Sequence, residues 1–249
     1  MRLKIINSNS TGNAYILEND QEALLIECGV NFKLIKQALN FNLGKVVGCI
    51  VTHEHGDHSK GVYDALKTGL NVYSSAGTHA ALGTLSHHRA KVVNEGQEFR
   101  IGQFKIMPFE VKHDVQEPFG YLINHPETGT VLFLTDSYYC EYNFLSAGLN
   151  NIIIEANYCQ RILDKRVQDG MNPKFLRDRV ITSHMSIKTC KDTLASYDLS
   201  AVNNIVLIHL SDGNSDAKRF KREVEEQTGK IVHVAEAGLT IENFHKTPF

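Results

Sequence analysis

Apolar positions fall into short runs along this chain, and most runs have the period of a strand. Leu3 to Ile6, Ala14 to Leu17 and Leu24 to Ile26 read as three strands separated by polar turns. Asn31 to Leu39 changes period: Phe32, Ile35, Ala38 and Leu39 share one helical face. Val46-Val47-Gly48-Cys49-Ile50-Val51 is continuous and rich in β-branched residues, as in a strand buried on both faces. Gly61 to Leu70 predicts a helix, Val72 to Ser74 a short strand, and Ala76 to Leu85 a second helix. Residues 92 to 134 return to strand patterning, with an alternating run from Phe104 to Val111 and a nearly all-apolar one from Val131 to Thr135. Ile152 to Ile154 is a strand ending at Glu155. Lys174 to Val180 and Thr189 to Tyr197 predict helices, and Ile205 to Ile208 a strand. Asp216 to Gln227 is an amphipathic helix with Phe220 and Val224 four apart, and Ile231 to Ala235 a last strand. Periodicity alone gives an α/β chain in two rough halves.

Several of these strands run into residues with metal-ligand chemistry. Val46 to Val51 leads into His53-Glu54-His55-Gly56-Asp57-His58, three imidazoles and the Asp57 carboxylate, with Glu54 besides, in six residues. Imidazole nitrogen and carboxylate oxygen suit zinc, manganese or iron(II). His53 and His55 share one side of an extended chain, whereas Asp57 and His58 must diverge and suit a second ion. His113 follows the Phe104 run, Asp136 closes the Val131 run and His209 closes the Ile205 run. Four such groups in one loop would be costly to satisfy without a cation.

This pattern resembles the metallo-β-lactamase fold hydrolases, and more narrowly their YycJ/WalJ-type branch, kin to ribonuclease Z and to phage anti-Pycsar phosphodiesterases. The supporting segments are Ser8 to Asn13, His113-Asp114 with Glu117 to Tyr121, Thr135-Asp136-Ser137, Glu155-Ala156-Asn157, Ser183-His184-Met185-Ser186 and His209 to Asn214. Two departures stand out. Glu27 replaces an Asp common in the family, and Tyr158-Cys159 replaces a His-Asp common in cellular WalJ-type proteins. The resemblance implies an αββα sandwich, one domain over residues 1–249, and a homodimer. It also implies two divalent ions, zinc or manganese, about 3.5–4 Å apart and sharing an activated hydroxide. His53, His55 and His113 would hold one ion and Asp57, His58 and His209 the other. Asp136 would bridge them. Asp57 would also orient the nucleophile, and His184 would protonate the leaving group, as a late histidine does in ribonuclease Z-like enzymes.

Composition narrows the substrate. Lys plus Arg is 26 against 28 Asp plus Glu, a net charge of −2, whereas gripping a long duplex usually takes many phosphate-neutralising cations. The basic cluster is Arg161, Lys165, Arg166, Lys174, Arg177 and Arg179, just before Ser183, where it could hold phosphate or simply face solvent. The expected activity is therefore hydrolysis of 3′,5′-cyclic mononucleotides, in the manner of the anti-Pycsar enzymes. A WalJ-like DNA exonuclease is the alternative, and a non-hydrolytic di-iron or metal-binding protein a second one, with Glu54 as a spare carboxylate. No run approaches the roughly 20 apolar residues of a membrane span. Five scattered cysteines without a CxxC pair read as reduced thiols in cytoplasm, host cytoplasm if the chain is phage-encoded. His79, His87, His88, His125, His233 and His245 lack companions and are expected at the surface or an interface. Asn157 is expected near substrate or behind a ligand. Ser8 to Asn13 could line the site or be an ordinary turn.

Overall fold

The computed structural model describes residues 1–247. Two seven-stranded sheets pack face to face. The first contains β1 (Arg2–Asn9), β2 (Gly12–Glu18), β3 (Ala23–Ile26), β4 (Val46–Ile50), β5 (Val72–Ser74) and β6 (Ala90–Val92) in chain order, with β14 (Thr240–Ile241) beside β1. The second runs β7 (Phe99–Ile101), β8 (Phe104–Glu110), β9 (Phe119–His125), β10 (Gly129–Leu134), β11 (Leu149–Glu155), β12 (Asn204–Ile208) and β13 (Ile231–Val234). Each sheet begins with antiparallel hairpins and turns parallel midway, at β3–β4 and at β10–β11. Parallel neighbours need crossovers, and helices supply them except between β10 and β11, which the irregular segment 135–148 joins.

The continuous apolar runs follow from burial on both faces. In β2, Tyr15 and Leu17 enter the core between the sheets, while Ala14 and Ile16 face outward. In β10, Val131 and Phe133 point inward, and Leu132 and Leu134 outward. Tyr15 and Phe133 meet edge to face across the sandwich, with ring centroids 5.6 Å apart. Outside the first sheet, Phe32 and Ile35 of α1 (Phe32–Ala38) and Val62, Ala65 and Leu66 of α3 (Val62–Lys67) cover that outward face. Outside the second, Ile187, Cys190 and Leu194 of α7 (Ile187–Ala195) pack with Phe220 and Val224 of α8 (Ala217–Thr228). Each fully buried side chain of this size contributes about 2 kcal/mol, so three apolar cores, one between the sheets and one under each helix layer, specify the αββα sandwich.

The elements follow the sequence pattern with a few physical exceptions. α3 stops at Lys67 because Gly69 turns left-handed (φ +92°). α4 (Ala76–Ala81) ends short of Leu85 for the same reason at Gly83 (φ +66°). α5 (Gln160–Gln168) has no counterpart among the sequence expectations, because its buried face is little more than Leu163 and its remainder is charged. It joins α6 (Lys174–Ser183) through the Arg177–Asp164 ion pair at 2.6 Å. Two expected surface histidines are interior. His79 is fully buried against Thr84, and His125 is buried with its Nε2 3.1 Å from Glu22. Among the described residues, no helix is long and apolar enough to cross a membrane.

Candidate metal centre

The strand ends converge on one cleft, and the backbone bends sharply to aim their side chains there. Glu27 after β3, Asp136 after β10 and His209 after β12 all take left-handed φ, at 63°, 46° and 54°. Such conformations cost about 1–3 kcal/mol each in non-glycine residues, so the packing around them must hold them in place. The loop after β4 is extended through His55 and then winds into a single turn, α2 (Gly56–Ser59), which carries Asp57 and His58. Gly29 makes room for this turn: a Cβ there would lie 1.6 Å from the Asp57 carbonyl oxygen. Cys28 and Gly61 then clamp the turn through their backbones, Cys28 donating to His58 O and Gly61 to Cys28 O.

All seven ligand candidates meet. His53, His55 and His113 form one group and Asp57, His58, Asp136 and His209 another, the ligand atoms within each lying within 4.8 Å of one another. Asp136 joins the groups, its Oδ2 lying 2.6 Å from His58 Nε2 and 3.4 Å from His53 Nε2.

Outer hydrogen bonds fix which ring nitrogen carries the proton. Thr52 Oγ1 donates to Glu27 at 2.5 Å, so its oxygen accepts from His53 Nδ1 at 2.9 Å. His113 Nδ1 donates to the Ser183 carbonyl at 2.9 Å, and His209 Nδ1 to Glu155 Oε1 at 3.2 Å. The Nε2 of His53 and of His113 is thereby left with a lone pair aimed inward, whereas burial of His209 is outweighed by Asp136, Asp57 and Glu155, which raise its pKa to about 9. His53 Nε2 is buried with no hydrogen-bond partner. His113 Nε2 lies 3.1 Å from His55 Nδ1, and His209 Nε2 lies 3.2 Å from Asp57 Oδ2. A buried imidazole nitrogen with no partner, set among this many imidazoles and carboxylates within reach of one another, is a donor set that fits divalent metals. Burial, reinforced by the neighbouring His58, holds the His53 imidazole well below its ordinary pKa, in the neutral form a metal binds.

A third group overlaps the second: Asp136, Glu155, His184 and His209. Glu155 is saturated, taking His184 Nδ1 and His209 Nδ1 on Oε1 and the Ser137 and Met185 amides on Oε2. It therefore orients side chains and has no oxygen to spare as a ligand. Burial opposes charge on His184, but the carboxylates of Glu155 and Asp136 outweigh it and raise its pKa well above the usual histidine range.

The sequence reading missed this role of Glu155, although its position at the end of an apolar strand was visible. It missed the supporting hydrogen bonds too. Asn13 Nδ2 reaches the Asp57 carboxylate at 3.3 Å, and Ser8 Oγ accepts the His209 amide at 2.9 Å. Ser8 to Asn13 is thus both a turn and a wall of the site, with Ser10 lining the pocket. Asn157 stands behind His209 and donates to its carbonyl at 2.8 Å. Glu54 belongs to none of the three groups among the described residues. The open side of the centre is a cavity of about 460 Å³ bounded by Leu176, Arg179 and Val180 of α6 and by Ser211 and Asn214.

Known proteins share this framework. Exodeoxyribonuclease YycJ of Bacillus anthracis is 28% identical over 228 residues, covering 86% of this chain and 84% of that one. Exodeoxyribonuclease WalJ of Streptococcus pneumoniae serotype 2 is 27% identical over 228 residues, covering 86% and 83%. The metallo-beta-lactamase fold protein YhfI from Bacillus subtilis superposes with a TM-score of 0.73 at 18% identity, over 97% of this chain and 99% of that one, a likeness of fold. The model of the beta-lactamase superfamily domain matches residues 23–210, about three quarters of the sequence. With its two-sheet sandwich and its cluster of histidines and aspartates at the strand ends, the chain belongs to the beta-lactamase superfamily and has the metallo-β-lactamase fold.

Proposed function

We propose that this chain is a metal-dependent phosphodiesterase with a two-ion centre of zinc or manganese. The observation that carries the reading is Asp136 Oδ2 set between His58 Nε2 and His53 Nε2, at 2.6 and 3.4 Å, joining two ligand groups. Two divalent ions held there would acidify an attacking water and neutralise the charge that builds on a phosphoryl group. His53, His55 and His113 would hold the first ion and Asp57, His58 and His209 the second, with Asp136 shared between the two groups. Asp57 is the more open carboxylate, 23% exposed against 3% for Asp136, and it orients the attacking water toward phosphorus. His184 has its Nδ1 committed to Glu155 and no partner on Nε2 among the described residues, and it lines the cavity. It delivers the proton that the leaving oxygen needs. The non-hydrolytic di-iron alternative loses its support, because Glu54 stands apart and Glu155 is saturated.

For substrate we favour a 3′,5′-cyclic mononucleotide, opened to the nucleoside monophosphate. The cavity of about 460 Å³ lies in the range of small-molecule sites, and Arg179 is the basic residue on its α6 wall. A second reading, a DNA exonuclease, is favoured by the names of the two bacterial relatives. Tyr158 and Cys159 are buried and line no part of the cavity, so those departures do not themselves choose between the two. One domain, a homodimer and a cytoplasmic location complete the proposal. The deciding comparison uses one metal-reconstituted sample. kcat/KM for cyclic pyrimidine and purine mononucleotides is set against shortening of linear double-stranded DNA at physiological salt. Opening of a cyclic nucleotide is expected. DNA shortening with no cyclic nucleotide opened would overturn the choice of substrate.

A further inference from the structure

Beside the metal cavity lies a second, larger one of about 740 Å³, walled by the charged α5 and by Met171 and Gly213. The two cavities share a partition, the loop from Ser211 to Asn214. Gly213 faces the larger cavity, while Ser211 and Asn214 face the metal centre. The partition is firmly held. Asn172 Nδ2 donates to Asn214 Oδ1 at 3.2 Å, and the Asn214 carbonyl accepts the Cys159 amide at 2.8 Å.

The charges in the larger cavity do not balance locally. Asp164 is engaged by Arg177 at 2.6 Å, and Asp169 by Lys165 at 2.9 Å. Arg161 and Arg166 have no ion-pair or hydrogen-bond partner for their side chains among the described residues. Arg166 is the unusual one. It is half-buried and its Nε is buried without a partner. Its guanidinium rests against Gly213, where a Cβ would come within 3.1 Å of Cζ. A buried, unpaired guanidinium nitrogen costs free energy unless an anion arrives, and the fork of a guanidinium matches phosphate oxygens.

We propose that Arg166, with Arg161 beside it, forms a phosphate subsite next to the catalytic cavity, which lets the centre take a short nucleotide strand as well as an isolated phosphodiester. The scissile phosphate would occupy the metal cavity and a neighbouring phosphate of the same strand would lie over Gly213 on Arg166. The proposal rests on the phosphodiesterase reading for what carries the phosphate, and its test includes a readout that does not need catalysis.

Three measurements compare the parent with Arg166→Ala and Arg166→Lys. The first is kcat/KM on single-stranded (dT)4 and on thymidine 5′-(p-nitrophenyl phosphate), which has one phosphodiester and no second phosphate. The second is the dissociation constant of fluorescein-labelled (dT)4 in chelator, where hydrolysis cannot intervene. The third is that binding as salt rises. Arg166→Ala should lose about tenfold in kcat/KM and in affinity on the oligonucleotide, with Arg166→Lys in between, and the p-nitrophenyl ester should be unaffected. The salt slope of binding should fall by about one counterion. An equal loss on both substrates would make Arg166 a brace for the Gly213 loop and overturn the subsite. Unchanged affinity for (dT)4 would also overturn it. If the parent hydrolyses neither of these substrates nor a cyclic nucleotide, the phosphodiesterase reading fails while the binding measurement still decides the subsite.

Discussion

Glu155 Oε1 lies 2.8 Å from His184 Nδ1, in a carboxylate that is fully buried and accepts two backbone amides besides. The pair fixes the ring and stabilises its charge, leaving Nε2 to act. His184→Ala should therefore lower kcat by about 10²–10⁴-fold on a nucleotide substrate, the usual scale of general acid catalysis. The loss should be far smaller on p-nitrophenyl esters, whose leaving group needs no proton. Metal content should not change. Glu155→Gln should act in the same direction and shift the alkaline-side pKa of the kcat profile downward, because the histidine loses a carboxylate that raises its pKa and so loses its proton at lower pH. An equal kcat loss on both substrate classes would give His184 a structural role instead. The exposed His88 is a suitable control for these variants. The buried His125 is not, since its removal would strand Glu22.

Glu27 gives a second prediction. Its Oε1 takes the Thr52 hydroxyl that in turn accepts from His53, and it lies 3.4 Å from His58 Nδ1. One carboxylate thus steadies a histidine in each ligand group. Glu27→Gln should weaken metal affinity by about 10–100-fold, as outer partners of metal-bound histidines generally do. Titration against a chromophoric chelator measures it, and an unchanged affinity would mean that Glu27 only packs.

A third prediction concerns stability far from the site. Glu18 is nearly buried among Arg2, Lys4 and Lys45, at 2.7, 2.8 and 2.8 Å. Burial alone would raise its pKa, but the hydrogen bonds from Lys4, Lys45 and Arg2 prevail and bring it from 4.5 to about 2. A folded-state pKa below the unfolded one stabilises the protein fully above about pH 4.5, and that stabilisation is lost as pH falls toward 2. The shift converts to about 3 kcal/mol, and solvent screening reduces this to about 1–2 kcal/mol. The urea midpoint of Glu18→Gln should therefore trail the parent at pH 6 and approach it by pH 3. A gap that is constant with pH would contradict the assignment.

The strand-end chemistry was legible because metal ligands are rare residue types that stand out at the ends of apolar runs. His53, His55, Asp57, His58, His113, Asp136 and His209 could all be picked out this way, and the structure brings them together. The layers were legible from double-sided burial in runs such as Val131 to Leu134. What stayed hidden depended on long-range packing. Nothing local distinguishes Glu155 from a strand cap, or says that Ser8 would meet the amide of His209, 201 residues away. His79 and His125 read as surface residues because their buried partners, Thr84 and Glu22, are matched by the fold and not by a motif. α5 escaped because Ile162, Leu163 and Val167 are its only apolar residues and only Leu163 is fully buried.

The most direct test of the two-ion centre is metal content and phosphodiesterase activity measured together on the parent and on Asp136→Ala. Elemental analysis after reconstitution with manganese or zinc should give two ions per chain for the parent, and chelation should abolish hydrolysis of bis-p-nitrophenyl phosphate reversibly. Asp136→Ala removes the one oxygen placed between His53 and His58, so it should lose metal and activity in parallel. An Asp136→Ala protein that keeps two ions and full activity would contradict the account.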